Sequence, residues 1–154
     1  MSEQHEGAGQ RIVAGVDGSP SSMAALRWAV RQAELTGGSV EAVTAWHSPP
    51  MLGVAAPYSE AAISSGDAGV RAAAEEMLRK AVADVAGPSS TVSVTAQIGE
   101  ASAIQLLLAA AEGASLVVVG SRGHGGFAGA MLGSVSQALA QHSPCPVLIF
   151  RGVE

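Results

Sequence analysis

Leu116-Val117-Val118-Val119-Gly120-Ser121-Arg122-Gly123-His124-Gly125-Gly126-Phe127-Ala128-Gly129-Ala130-Met131-Leu132-Gly133-Ser134-Val135-Ser136 carries a wholly apolar run into a helical pattern through a glycine-rich segment. The run Leu116–Val119 is short and has no polar face, as in a strand buried on both sides within a parallel sheet. Glycines then stand at 120, 123, 125, 126, 129 and 133. Each costs backbone entropy on folding, so such a density implies positive φ or close approach of backbone to a ligand. Gly133-Ser134-Val135-Ser136 reads as a helix start, with hydroxyls beside free N–H groups. A glycine-rich loop leading into a helix N-terminus suits a phosphate. A long flexible loop without a ligand is the alternative.

Gly120, Gly123, Gly133 and Ser134 follow the spacing Gly-x2-Gly-x9-Gly-Ser. This is neither a P-loop nor the Gly-x-Gly-x-x-Gly dinucleotide fingerprint, and the only lysine, Lys80, is remote in sequence.

The rest of the composition is that of one globular domain. The chain has 154 residues, 48% hydrophobic and 14% charged, which supports a buried core rather than disorder. Aromatics are 3%, so Ala, Val, Leu and Ile must build that core. A net charge of −5 gives no footprint for nucleic acid. Cys145 is the only cysteine, which rules out an internal disulfide and fits a reducing compartment. Met1–Gln10 is polar and reads as a disordered tail rather than a signal peptide, ahead of a domain over 11–154. The most apolar window, Ala103–Gly120, contains Gln105, Glu112, Gly113 and Ser115, and so reads as helix, turn and strand rather than a membrane span. A cytoplasmic location without membrane association is expected.

Arg11–Asp17 is a second apolar run, ending in an acid. Gly18–Ser22 is a turn with capping hydroxyls, and Leu26, Ala29, Val30 and Ala33 give a helix stopped by Gly37-Gly38. Val40–Trp46 is the next strand. His47–Gly66 has no clean period, and a connection of that length is usually functional or mobile; a short helix near Ser59–Ile63 is the alternative. A helix follows on the stripe Val70, Ala74, Met77, Leu78, Ala81 and Val85. Thr91–Ile98 alternates polar and apolar, as a half-exposed strand near a sheet edge does. Ile104, Leu107, Leu108 and Ala111 give the third helix stripe. Val135, Ala138 and Leu139 face inward on the last helix, and Val147–Phe150 is the fifth strand.

Alternation of strands and helices makes the fold α/β: a single-domain, open, parallel five-stranded sheet with helices on both faces. The all-apolar first and fourth strands belong in the middle and the alternating third outside. Right-handed crossovers then favour the order 3-2-1-4-5. The chain reverses direction between strands 1 and 4, and ligands of open α/β sheets bind at such a switch point. Asp17 and the Gly120 segment both leave that point.

The glycine spacing resembles the nucleotide-binding signature of the universal stress protein family, in its ATP-binding branch. Ile12–Ser19, then Gly99-Glu100-Ala101 opening a helix with Ala114–Gly120 after it, and Gly133–Leu148 are similar to that family's first strand, fourth-strand region and ending. Ser115 departs from an aspartate common there. The resemblance implies a Rossmann-like, adenine nucleotide alpha hydrolase-like fold that binds ATP, with Mg²⁺ screening the phosphates. It also implies site roles. Asp17, with Gly15 and Val16, would face adenine and ribose; Trp46 would border the base; Val119 and Gly120 would flank the nucleoside. Ser121, Arg122 and Gly123 would begin the phosphate loop, and Gly133, Ser134, Val135 and Ser136 would close it. Read from the residues alone, the alternatives are a turn cap for Asp17, which is compatible with binding, a solvated charge for Arg122 and a strand-end core residue for Trp46, and Cys145 reads as a small buried apolar residue rather than a nucleophile.

No catalytic set is evident: there is no Gly-x-Ser-x-Gly elbow, no histidine pair at metal spacing and no placed carboxylate pair. The expectation is a regulatory ATP binder in stress response, with weak hydrolysis at most. An interaction module without nucleotide, or a flavin carrier in the same crevice, are the alternatives. Val147–Phe150 is an apolar strand placed at an edge, and the family commonly pairs there, so a homodimer is expected; a further protein partner is compatible with this reading.

Overall fold

The computed structural model describes residues 9–47, 66–88, 90–121 and 132–151, with backbone alone at 66 and 67. Its strands are β1 (Arg11–Gly15), β2 (Ser39–Trp46), β3 (Val94–Glu100), β4 (Leu116–Gly120) and β5 (Val147–Phe150). Its helices are α1 (Pro20–Thr36), α2 (Gly66–Val85), α3 (Ala103–Ala111) and α4 (Ser134–His142). The strands form one sheet in the order β3-β2-β1-β4-β5, and every pair is parallel. The order, the class and the central position of the two apolar strands agree with the sequence reading.

Strand alternation sorts the core into two layers. Ile12, Ala14, Val40, Ala42 and Val118 face one side and pack with Leu26, Ala29 and Val30 of α1 and Leu78 of α2. Val13, Val43, Val117 and Val119 face the other and pack with Leu107 of α3 and Leu139 of α4. Burial on both faces is why β1 and β4 carry no polar residue between Ile12 and Val16 or between Leu116 and Val119. No helix among the described residues is long and apolar enough to cross a membrane.

The helix ends follow local chemistry. Ser19 caps α1, its side chain accepting the Ser22 N–H, and Pro20 opens the helix. Gly37 closes it at φ 71°, a left-handed cap that a Cβ would strain. Arg11 ties the amino end of the sheet to the end of α3. Its guanidinium donates to Glu41 at 2.9 Å, to the Ala110 carbonyl at 3.0 Å and to the Glu112 carbonyl at 2.8 Å.

Boundaries differ from expectation at β3. The strand starts at Val94, because Ser90 Oγ accepts the Val92 N–H in a turn, and it runs on to Glu100 by pairing with Trp46. Gly99 and Glu100 therefore end a strand. The helix is opened instead by Ser102, whose side chain accepts the Gln105 N–H. Cys145 is half-buried rather than buried, lying against the α3–α4 layer with its N–H donating to Ser143 Oγ. Gly9 and Gln10 already meet the α1–β2 turn, where the Gln10 carbonyl accepts the Ser39 N–H at 2.8 Å. Residues 1–8 of the expected tail, and 48–65 of the long connection with its short helix, lie outside the described residues.

At Gly120, the last residue of β4, the absence of a side chain brings α1 and the sheet together. A Cβ there would meet Ser21 Oγ and lie 2.9 Å from the Ser21 carbonyl carbon. Backbone cannot yield as a side-chain tip can, so Gly120→Ala is expected to cost about 1–3 kcal/mol in urea unfolding. Gly87→Ala, whose Cβ would meet nothing within 4 Å, is the control and should change stability by less than about 0.5 kcal/mol.

Candidate functional site

β1 and β4 are neighbours in the sheet, and their carboxyl ends feed α1 and α4 on opposite faces. The crevice between them is the switch point of the strand order.

On the β1 side the chain turns sharply into α1. Val16 is fully engaged through its backbone: its N–H donates to Val43 O at 2.9 Å, and its carbonyl accepts the buried Thr44 hydroxyl at 2.8 Å. Asp17 Oδ1 accepts the Ser19 N–H at 2.9 Å and the Ser19 hydroxyl at 2.5 Å. Its own N–H donates to Ser22 Oγ at 3.3 Å. The carboxylate thus caps the turn, one of its two sequence roles, at the mouth of the crevice. Gly15 faces the α3–α4 layer, 3.1 Å from both Leu107 and Val119 at its virtual Cβ. Its role here is packing beneath the site.

On the β4 side Ser121 is the junction. Its N–H donates to Phe150 O at 2.8 Å. Its carbonyl accepts the Gly133 N–H at 2.6 Å and the Ser136 hydroxyl at 3.0 Å. The chain leaves the sheet at Ser121 and returns to the same point at Gly133. Arg122 and Gly123 lie outside the described residues.

Gly133 is the N-cap of α4, with φ −75° and ψ 171° and no side-chain hydrogen bond to the helix. The α1 and α3 N-termini, by contrast, are closed by Ser19 and Ser102. The first bond of α4 runs from the Gln137 N–H to the Gly133 carbonyl. The N–H groups of Ser134, Val135 and Ser136 are therefore outside the helical ladder. Ser136 turns its hydroxyl inward, to the carbonyls of Ser121 and Gly133, and is 2% exposed. What Ser136 offers outward is its N–H, while Ser134 is exposed and half-buried Val135 packs against the α3–α4 layer. The arrangement is a partial positive charge of about half a unit with oriented donors, held against the end of a central strand.

Trp46 ends β2 with 7% of its surface exposed, packed with Val70 and Ala74 of α2 and Ile98 of β3. Its ring serves as a core side chain at the rim. Val119 is buried beneath Gly120 in the α3–α4 layer. The structure thus gathers Asp17, Gly120, Ser121 and Gly133–Ser136 around one crevice. Sequence reasoning missed Ser21, Ser22 and Thr44, which hold the crevice walls. In the sequence the serines signal only a turn with hydroxyls, and a lone threonine inside a strand carries no local signal. Among the described residues no three His, Cys, Asp or Glu side chains converge on a cation.

Comparison with known proteins agrees with this architecture. The universal stress protein family pattern matches residues 9–151. A universal stress protein of Mycolicibacterium smegmatis is 33% identical over 92% of this chain and 48% of its own length. The chain thus spans about half the length of the curated relatives it matches. The solved structure of universal stress protein UspA from Lactobacillus plantarum superposes with a TM-score of 0.75, at 21% identity, over 95% of this chain and 100% of the other. A universal stress protein solved in complex with cAMP gives a TM-score of 0.68, at 27% identity, over 94% and 98%. The family match covers every element of the fold and both sides of the crevice, and the chain belongs to the universal stress protein family.

Proposed function

We propose that this chain is a regulatory nucleotide-binding protein that takes ATP in the crevice between β1 and β4. The observation that carries the proposal is the α4 N-terminus, tied to Ser121 and left without a side-chain cap. An anion is the ligand such a helix end favours. The adenine nucleotide in the cAMP complex of a relative 27% identical to this chain supports the ligand class. Gly133, Ser134, Val135 and Ser136 would cradle a phosphate through their N–H groups, helped by Ser121, Arg122 and Gly123. Asp17, Trp46 and Gly120 would border the nucleoside.

Mg²⁺ fits as an ion carried in on the phosphates. It keeps much of its water and needs few protein ligands. The described side chains beside the α4 N-terminus are hydroxyls, which are weak bases, so hydrolysis is slow at most and the role is binding. Response to stress through an ATP-dependent state of the protein is the function this reading implies. Self-association through β5 is part of it. This edge strand carries four half-buried apolar residues in a row, and a two-fold copy would cover them.

Ser134→Asp separates binding from folding. A carboxylate in the first turn of α4 favours the helix dipole, so stability should hold or rise by about 0.3–1 kcal/mol in thermal melting. The same charge stands where a phosphate would sit, so calorimetric affinity for Mg-ATP should fall at least about tenfold. Unchanged affinity in a folded variant would move the reading to an interaction module. For self-association, Leu148→Lys should convert a sedimenting dimer into monomer or aggregate; a soluble dimer that persists counts against the β5 interface.

A further inference from the structure

We propose that Arg151 is a second phosphate-binding side chain of this crevice, one that engages the outer phosphates of a nucleoside triphosphate and leaves a monophosphate untouched. This rests on the nucleotide reading above and extends it to a residue outside the glycine signature.

The placement comes from strand register. β5 runs parallel to β4 with Phe150 opposite Gly120, and the Ser121 N–H donates to Phe150 O. Arg151 follows Phe150 and so lies beside Ser121, at the spacing of about 4.8 Å between neighbouring strands. Ser121 in turn holds Gly133 at the start of α4. Arg151, Ser121 and the open helix end are thus successive neighbours at the carboxyl edge of the sheet. Alternation settles the face. Leu148 and Phe150 pack in the α1 layer, whereas Val147 and Ile149 pack in the layer of α3 and α4. Position 151 falls on the side of Ile149, the face that carries α4.

Its charge is available. Arg151 is exposed and makes no ion pair among the described residues, whereas Arg11, Arg71 and Arg79 are paired with Glu41, Glu75 and Glu76. A guanidinium presents a fork of donors that matches phosphate oxygens and cannot lose its charge. The need is also present. A helix end supplies about half a unit of charge, less than a triphosphate carries, and the chain as a whole is acidic at −5.

Sheet order gives the direction. On that reading, with the nucleoside toward β1 and the first phosphate at β4 and α4, a chain of phosphates that continues along the strand order would extend toward β5. Arg151 meets its far end.

The test is calorimetric binding of Mg-ATP and of AMP to the full chain, to Arg151→Ala and to Arg151→Lys, with melting temperatures recorded without ligand. Arg151→Ala should weaken ATP about tenfold while AMP affinity and melting temperature stay as in the parent. Arg151→Lys should recover part of the loss, because it restores the charge without the fork. Equal weakening of ATP and AMP, or unchanged ATP affinity, overturns the inference and leaves the nucleotide reading standing. A parent chain that binds neither nucleotide overturns that reading, and this inference with it.

Discussion

Three hydrogen bonds meet at Ser121, and the geometry of the crevice depends on them. Its N–H fixes the end of β4 to β5, and its carbonyl anchors both the cap and the first turn of α4. A carbonyl has two lone pairs, so one oxygen can hold the Gly133 N–H and the Ser136 hydroxyl together. The consequence is a helix whose N-terminus is located by the sheet, whatever the chain does between residues 121 and 133. Ser136 has a structural task that follows from this. Its hydroxyl replaces solvent at two carbonyls, which is why a polar side chain lies 2% exposed inside the domain.

The opposite wall is built by close approach rather than by a junction. Gly120 lets the first turn of α1 lie directly on the end of β4. Asp17, Ser19 and Ser22 form a set of bonds that caps the start of α1 from within its own turn. The two helix ends at the crevice therefore differ in kind. One is capped by side chains of its own turn. The other leaves three N–H groups outside its helical ladder with no partner among the described residues, and electrostatics at the site is asymmetric toward α4.

How much of this was legible in the sequence depended on whether the signal was periodic or geometric. Strand order followed from two facts visible in the residues: Val13 and Val117 lie in runs with no polar face, and Thr95 and Gln97 lie in a run that alternates. The helix start at Ser134 was legible because Gly-Ser is a local signal. The edges of β3 were not, because Glu100 joins the strand through its partner Trp46 and the sequence contains no mark of that pairing. Trp46 showed the same limit. Its position at a strand end was readable, but its packing against Val70 comes from a helix more than twenty residues on. The Thr44 bond to Val16 and the alignment of Arg151 with Ser121 are likewise products of register, which only the assembled sheet defines.

The central pairing of β1 with β4 joins the earliest strand to one near the other end: Ile12 sits opposite Leu116, and β4 is completed by β5. Contacts this distant in sequence form late, since a long loop must close before they stabilise anything. During synthesis β1 and β2 can associate early, but the switch point has only one side until β4 and β5 have emerged. Folding and acquisition of the crevice are thus one event. A chain interrupted before Val147 would lack the strand that seats Ser121, and with it a fixed position for the open end of α4. Ligand capture in this architecture would therefore report that the whole sheet has closed.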